Sequence, residues 1–168
     1  MSDLPRGFRE KAYLFMDQKI DHWQAEFELV CESPIEVAFA IAFMITGWEN
    51  RGATWSVPPD LPLGDVAYPA HTELLLLPQR EVLSYRVDFL ASQYPYVDGK
   101  VVAIECDGHD FHERTKEQAA RDRQKDRDLQ AAGYRVLRFT GSEIYRDAFR
   151  CADETLKALW QVNGGGRQ

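Results

Sequence analysis

The chain reads as a mixed α/β (α+β) protein, a central sheet with helices on its faces. Three observations carry that reading. An almost wholly apolar helical stretch begins at Ser33-Pro34. Three strand-like runs follow it: "ELLLLP", "YRVDFLASQY" and "KVVAIEC". A helix, a strand and one or two helices then close the chain, as "RTKEQAARDRQKDRDLQAAG", "YRVLRFT" and "GSEIYRDAFRCADETLKALWQV". Grouped strands flanked by amphipathic or apolar helices bury their apolar faces in layers, sheet against helix.

Each element has a local cause. Residues 9–30 show mixed helical periodicity, with Trp23, Phe27 and Val30 on one side, and predict a helix. Ser33 as N-cap, Pro34 at the first helical position and Glu36 at the third form a capping box that starts the apolar helix, which is expected to end near Gly47. The segment from Arg51 to His71 is rich in Pro, Gly and Asp and predicts a long irregular loop. Asp98-Gly99 in "PYVDGK" predicts a hairpin between the second and third strands. Gly133 stops the charged helix.

At 168 residues the chain suits one domain. That domain is expected over residues 33–162, after a helical extension at 1–32 and before a disordered tail, "NGGGRQ", at 163–168. No apolar run approaches the roughly 20 residues a membrane span needs, and the N-terminus lacks a signal-peptide core, so a cytoplasmic protein without a membrane partner is expected. Three scattered cysteines fit reduced thiols rather than a disulfide framework. The net charge of −7 argues against a nucleic-acid partner in general, but it is unevenly spread. From His112 to Arg150 there are ten Lys or Arg against seven Asp or Glu, so a basic face can exist on an acidic chain.

The chemistry concentrates in "VVAIECDGHDFHER". Side chains two apart on a strand share a face, so Glu105 and Asp107 project together, with Asp88 on the neighbouring strand. Three converging carboxylates suit a hard divalent cation, which takes oxygen ligands and relieves their repulsion. Each residue also has a plainer reading. Asp88 beside Arg86 fits a surface ion pair; Glu105 fits a solvated strand end; Asp107-Gly108 fits a turn; Cys106, on the opposite face, fits a core thiol; Glu36 is explained by its capping box. His109 and His112 fit polar residues at a helix start or a pair of zinc ligands.

Taken in order, "RVDFLASQY", "KVVAIECDGHDFHER" and "DRQKDRDLQAAGYRVLRFTGSEI" resemble the PD-(D/E)XK, or restriction-endonuclease-like, nuclease superfamily, and most nearly its small branch of very-short-patch-repair (Vsr) mismatch endonucleases. The resemblance covers about Ser33 to Ile144. It implies a restriction-endonuclease-like central mixed sheet flanked by helices, and a metal-dependent endonuclease that hydrolyses phosphodiester bonds in DNA, duplex or structured; the residues do not by themselves separate DNA from RNA. By position, Asp88 matches the metal-binding aspartate and Glu105 the first acidic residue of the (D/E)-x-K element, while Asp107 stands where that element carries Lys. The implied metal set is Asp88, Glu105 and Asp107 around Mg2+ or Mn2+. Lys125 and His112 are the substitutes for the missing Lys; Glu36 matches an acidic helix residue that joins the metal shell in related nucleases. Arg121 shares a helix face with Lys125, and these two with His109 are the candidate DNA contacts. Trp48 and Trp55, near the long loop, are candidates for wedging between bases.

Two other readings compete. One is a nucleic-acid-binding module on the same fold that has lost activity, suggested by the missing Lys and the acidic charge. The other is a zinc-stabilised interaction domain using Cys106, His109 and His112. Double-strand cleavage by a chain with one site would require a homodimer or sequential nicking.

Overall fold

The computed structural model describes residues 8–51, 54–56, 74–93, 101–108 and 115–162. His109, His112, the Asp98-Gly99 hairpin, the tail and nearly all of the long loop lie outside the described residues. The element order is α1 (Phe8–Glu28), α2 (Pro34–Arg51), β1 (Thr54–Ser56), β2 (Leu74–Val82), β3 (Tyr85–Gln93), β4 (Val101–Asp107), α3 (Lys116–Ala131), β5 (Arg135–Thr140) and α4 (Gly141–Val162). The strands lie side by side in sequence order. The central three pair antiparallel, whereas β1 and β5 run parallel to their neighbours, so the sheet is mixed as expected.

The capping chemistry acts as the sequence implies. The Ser33 hydroxyl and the Glu36 carboxylate close the start of α2, and Glu36 also accepts from the Glu32 N–H. Thr115 and Gln118 form a second capping box at α3. That helix ends in a Schellman motif, in which Gly133 takes φ 92° and Tyr134 N–H reaches back to the Leu129 carbonyl at 3.0 Å. Asp147 breaks α4 with φ −163° and ψ 85°, and caps its second half by accepting from Arg150 N–H.

Three boundaries depart from expectation. Helix α2 runs on past Gly47 to Arg51. The long loop contains a strand, β1, paired with Leu74–Leu76; three residues are too short for alternation to announce them. Strand β2 passes through Pro78 to Val82; among the described residues no strand pairs with it beyond Leu76 on the β1 side, and proline is tolerated at such an edge.

Two apolar layers cover the sheet. Phe39 and Phe43 of α2 and Leu156 of α4 pack on Leu74, Leu76, Phe89, Ile104 and Phe139. On the other face Leu75, Leu77, Leu90 and Ala103 meet Leu129, the one buried residue of α3. Each of the Leu, Ile and Phe side chains among these contributes about 1.5–3 kcal/mol by leaving water. The face assignment slips within β2 and β3: Leu77 and Val82, five residues apart, lie on the same side, as do Val87 and Leu90. The slip falls at Gln79, whose φ of 50° is left-handed, between the registered pairs Pro78↔Phe89 and Arg80↔Val87.

The C-terminal part of α1 belongs to the first layer through Phe27, with Trp23, Val30 and Cys31 against it, while Tyr13, Leu14 and Phe15 are exposed. No described helix is long and apolar enough to cross a membrane.

Candidate active site

The slip at Gln79 carries the register to the chemistry. Continuing the pair Phe89↔Ile104 by one residue sets Asp88 opposite Glu105. Asp88 lies at the seam between the two faces, where its Oδ2 accepts the Cys106 N–H at 2.6 Å. Burial, and then the charges of Glu105 and Glu36, push its carboxyl up to about 7; the Cys106 N–H and Lys125 offset only part of this. Glu105 is 7% exposed, which removes the solvated-strand-end reading. Burial raises its carboxyl too, against the pull of Lys125.

Lys125 reaches this site from α3. Its Nζ donates to Glu105 Oε2 at 2.8 Å and to the Arg86 carbonyl at 2.5 Å. Glu105 Oε1 is 2.7 Å from the same ammonium yet has no hydrogen bond of good geometry among the described residues. Arg86 pairs with Glu32 rather than with Asp88, so the surface-pair reading of Asp88 does not hold.

Arg138 is a site residue that the sequence reading passed over. It faces Glu105 across the parallel β4–β5 pair, and its Nη1 is 3.3 Å from Asp107 Oδ1 and 3.8 Å from Glu105 Oε2. Its Nε and Nη2 grip Asp126, the neighbour of Lys125 on α3. Burial works against this guanidinium's charge, but Asp126, Glu105 and Asp107 more than offset it. The available signal was a charged residue alternating with the apolar Leu137 and Phe139. Asp107 shares a face with Glu105 as expected, and Arg138 is the cation it meets.

Glu36, buried at the start of α2, serves its cap and also accepts from Gln79 Nε2 at 2.8 Å. The capping-box reading of Glu36 is therefore seen directly, and the same carboxylate also faces Gln79 and lies near Asp88. Cys106 is buried in the α2–α4 layer, with its thiol raised well above the ordinary value by burial and by the nearby acids. Cys31 joins the same neighbourhood, its thiol pushed up to about 12 by burial, then by Glu36 and Asp88. Arg121 is exposed one turn before Lys125, and Trp48 is 42% exposed at the end of α2. The side chain of Trp55 lies outside the described residues, as do both histidines.

Among the described residues no three His, Cys, Asp or Glu side chains form a ready-made metal cage. Mg2+ does not need one, since it keeps waters and binds through one or two carboxylates and substrate phosphate. Asp88 and Glu105 are buried oxygen donors, and at Asp88 the charges of Glu105 and Glu36 outweigh the pull of Lys125; this donor set fits such a cation. A zinc site through Cys106 fits poorly, because Cys106 is buried among the apolar side chains between the sheet and helices α2 and α4.

Residues 71–160 match the family model REase_MTES_1575, a restriction-endonuclease-like family. The match spans more than half of the chain and takes in Asp88, Glu105, Asp107, Lys125 and Arg138. The chain belongs to this family. No curated protein and no solved structure matches it.

Proposed function

We propose that the protein is a Mg2+- or Mn2+-dependent endonuclease that hydrolyses phosphodiester bonds in DNA. The observation that carries this is the buried Asp88–Glu105 pair with Lys125 set against it, at the strand ends of a chain in a restriction-endonuclease-like family. The motif order supports a place near the Vsr-like branch, and the free thiols of Cys31, Cys106 and Cys151 suit the cytoplasm.

Asp88 and Glu105 would hold the cation. Asp107 is held by Arg138 through one carboxylate oxygen, and Glu36 lies close enough to Asp88 to raise its pKa. When bound, the metal supplies Lewis-acid activation of water and neutralises charge at phosphorus. The chain does the rest. Water oxygen bonds to phosphorus as one P–O ester bond breaks, and the leaving oxygen takes up a proton from solvent, giving a phosphate monoester and a free hydroxyl. His112, or His109, accepts the proton from water. Lys125 donates to the attacking water or to a non-bridging oxygen, the office that the usual Lys performs. Arg121 and His109 meet neighbouring phosphates.

Supercoiled plasmid with Mg2+ or Mn2+ tests the reading. Conversion to open circles, abolished by EDTA, supports it, and prompt linear product points to a homodimer. Intact plasmid with a retained gel shift favours the inactive binding module, for which Asp107 in the Lys position is the motivating residue.

A further inference from the structure

Gln79 is the most strained polar residue near the site. Its φ of 50° is left-handed, a region that costs a non-glycine residue and persists only where something over-determines it. It falls opposite Asp88, at the interruption in the β2–β3 ladder. Its amide nitrogen donates to Glu36 Oε2 at 2.8 Å, which fixes which end of the amide is oxygen. That oxygen, Oε1, is buried and has no hydrogen-bond partner among the described residues. A buried carbonyl without a donor is costly, and the bond to Glu36 accounts for the nitrogen end of the amide but not for its oxygen.

We propose that Gln79 is a working member of the site: its amide nitrogen orients Glu36, and its amide oxygen is a neutral donor to the divalent cation or to a water on it. This rests on the metal-dependent reading above. Amide and carboxylate oxygens are the ligands a hard cation takes. The left-handed backbone is what turns this one position out of strand alternation, beside Asp88 and towards α2. The strain is then the cost of aiming a ligand.

Mn2+ titration calorimetry on the full chain tests this, with melting in EDTA as a second readout. The variants are Gln79→Gly, which also relieves the backbone, and Gln79→Ala. Both are expected to bind Mn2+ about tenfold more weakly than the parent, the usual loss for one ligand or its support. Gln79→Gly should nonetheless melt at or above the parent temperature in EDTA. A folded Gln79→Gly protein with parental Mn2+ affinity overturns the assignment while leaving the endonuclease reading intact. A parent protein that binds no Mn2+ overturns both. If Gln79→Ala does not fold, the Gly variant decides alone, because glycine accepts the left-handed backbone.

Discussion

Asp88 is the residue on which the proposed chemistry turns, and its environment works against the fold. Its carboxyl is pushed from 3.8 to about 7 by burial and by Glu105 and Glu36. Between those values the folded chain keeps a proton that the unfolded chain has released, so stability falls as pH rises through that window and stays low above it. Asp88→Asn removes this penalty. In EDTA the variant is expected to melt near the parent at about pH 4 and about 5 °C above it at about pH 8. Equal shifts at the two pH values would contradict the burial argument. Lys125→Ala should lower cleavage about a hundredfold, the scale of one lost proton-transfer or donor group. Asp88, Glu105 and Lys125 were legible from strand alternation and motif order. Arg138 left only its alternation with Leu137 and Phe139, which marks a polar face but not the carboxylates it meets across a parallel neighbour, and the left-handed backbone at Gln79 leaves no pattern along the chain.

At the scale of elements, helix starts and stops were the most legible features, since caps are local. Thr140 and Glu143 show the same logic at α4: the Thr140 N–H and hydroxyl both donate to Glu143, and the Thr140 hydroxyl accepts from the Glu143 N–H. Thr140→Ala is expected to cost about 1 kcal/mol, or about 2–4 °C in Tm. The Thr140 N–H and hydroxyl hold the Glu143 carboxyl below its ordinary value. The box is therefore worth most above the ordinary carboxyl range, and the deficit of the variant should shrink on acidification through the lowered pKa. Helix α3 is different in kind. It buries only Leu129 and otherwise docks through Lys125 on Glu105, Asp126 on Arg138 and Asp128 on Tyr85. Leu129→Ala should cost about 2–5 kcal/mol and speed amide exchange across Lys116–Ala131 ahead of the rest of the chain. Strand β1 escaped the sequence because it is short, and the end of β2 because Pro78 reads as a stop unless the edge is known.

At the scale of the molecule, the sheet gathers the site at the seam where β2 and β3 change face, with α2 delivering Glu36 from one side and α3 delivering Lys125 from the other. The family match begins at residue 71, yet α1 is tied to the same core through Phe27, which is 1% exposed. Phe27→Ala should cost about 3–5 kcal/mol, while Tyr13→Ser, on the exposed turn of the same helix, should stay within about 0.5 kcal/mol in chemical unfolding. The layered α/β arrangement followed from the apolar helix and the strand runs; the strand register did not. The central claim is metal-dependent hydrolysis at Asp88 and Glu105. It is tested most directly by single-turnover plasmid nicking in Mn2+ with the parent, Asp88→Asn and Glu105→Gln side by side, each shown to be folded. The account predicts nicking by the parent that is lost in EDTA and reduced at least roughly a hundredfold in both variants. Parental nicking by either folded variant, or none by the parent under any metal, would contradict it.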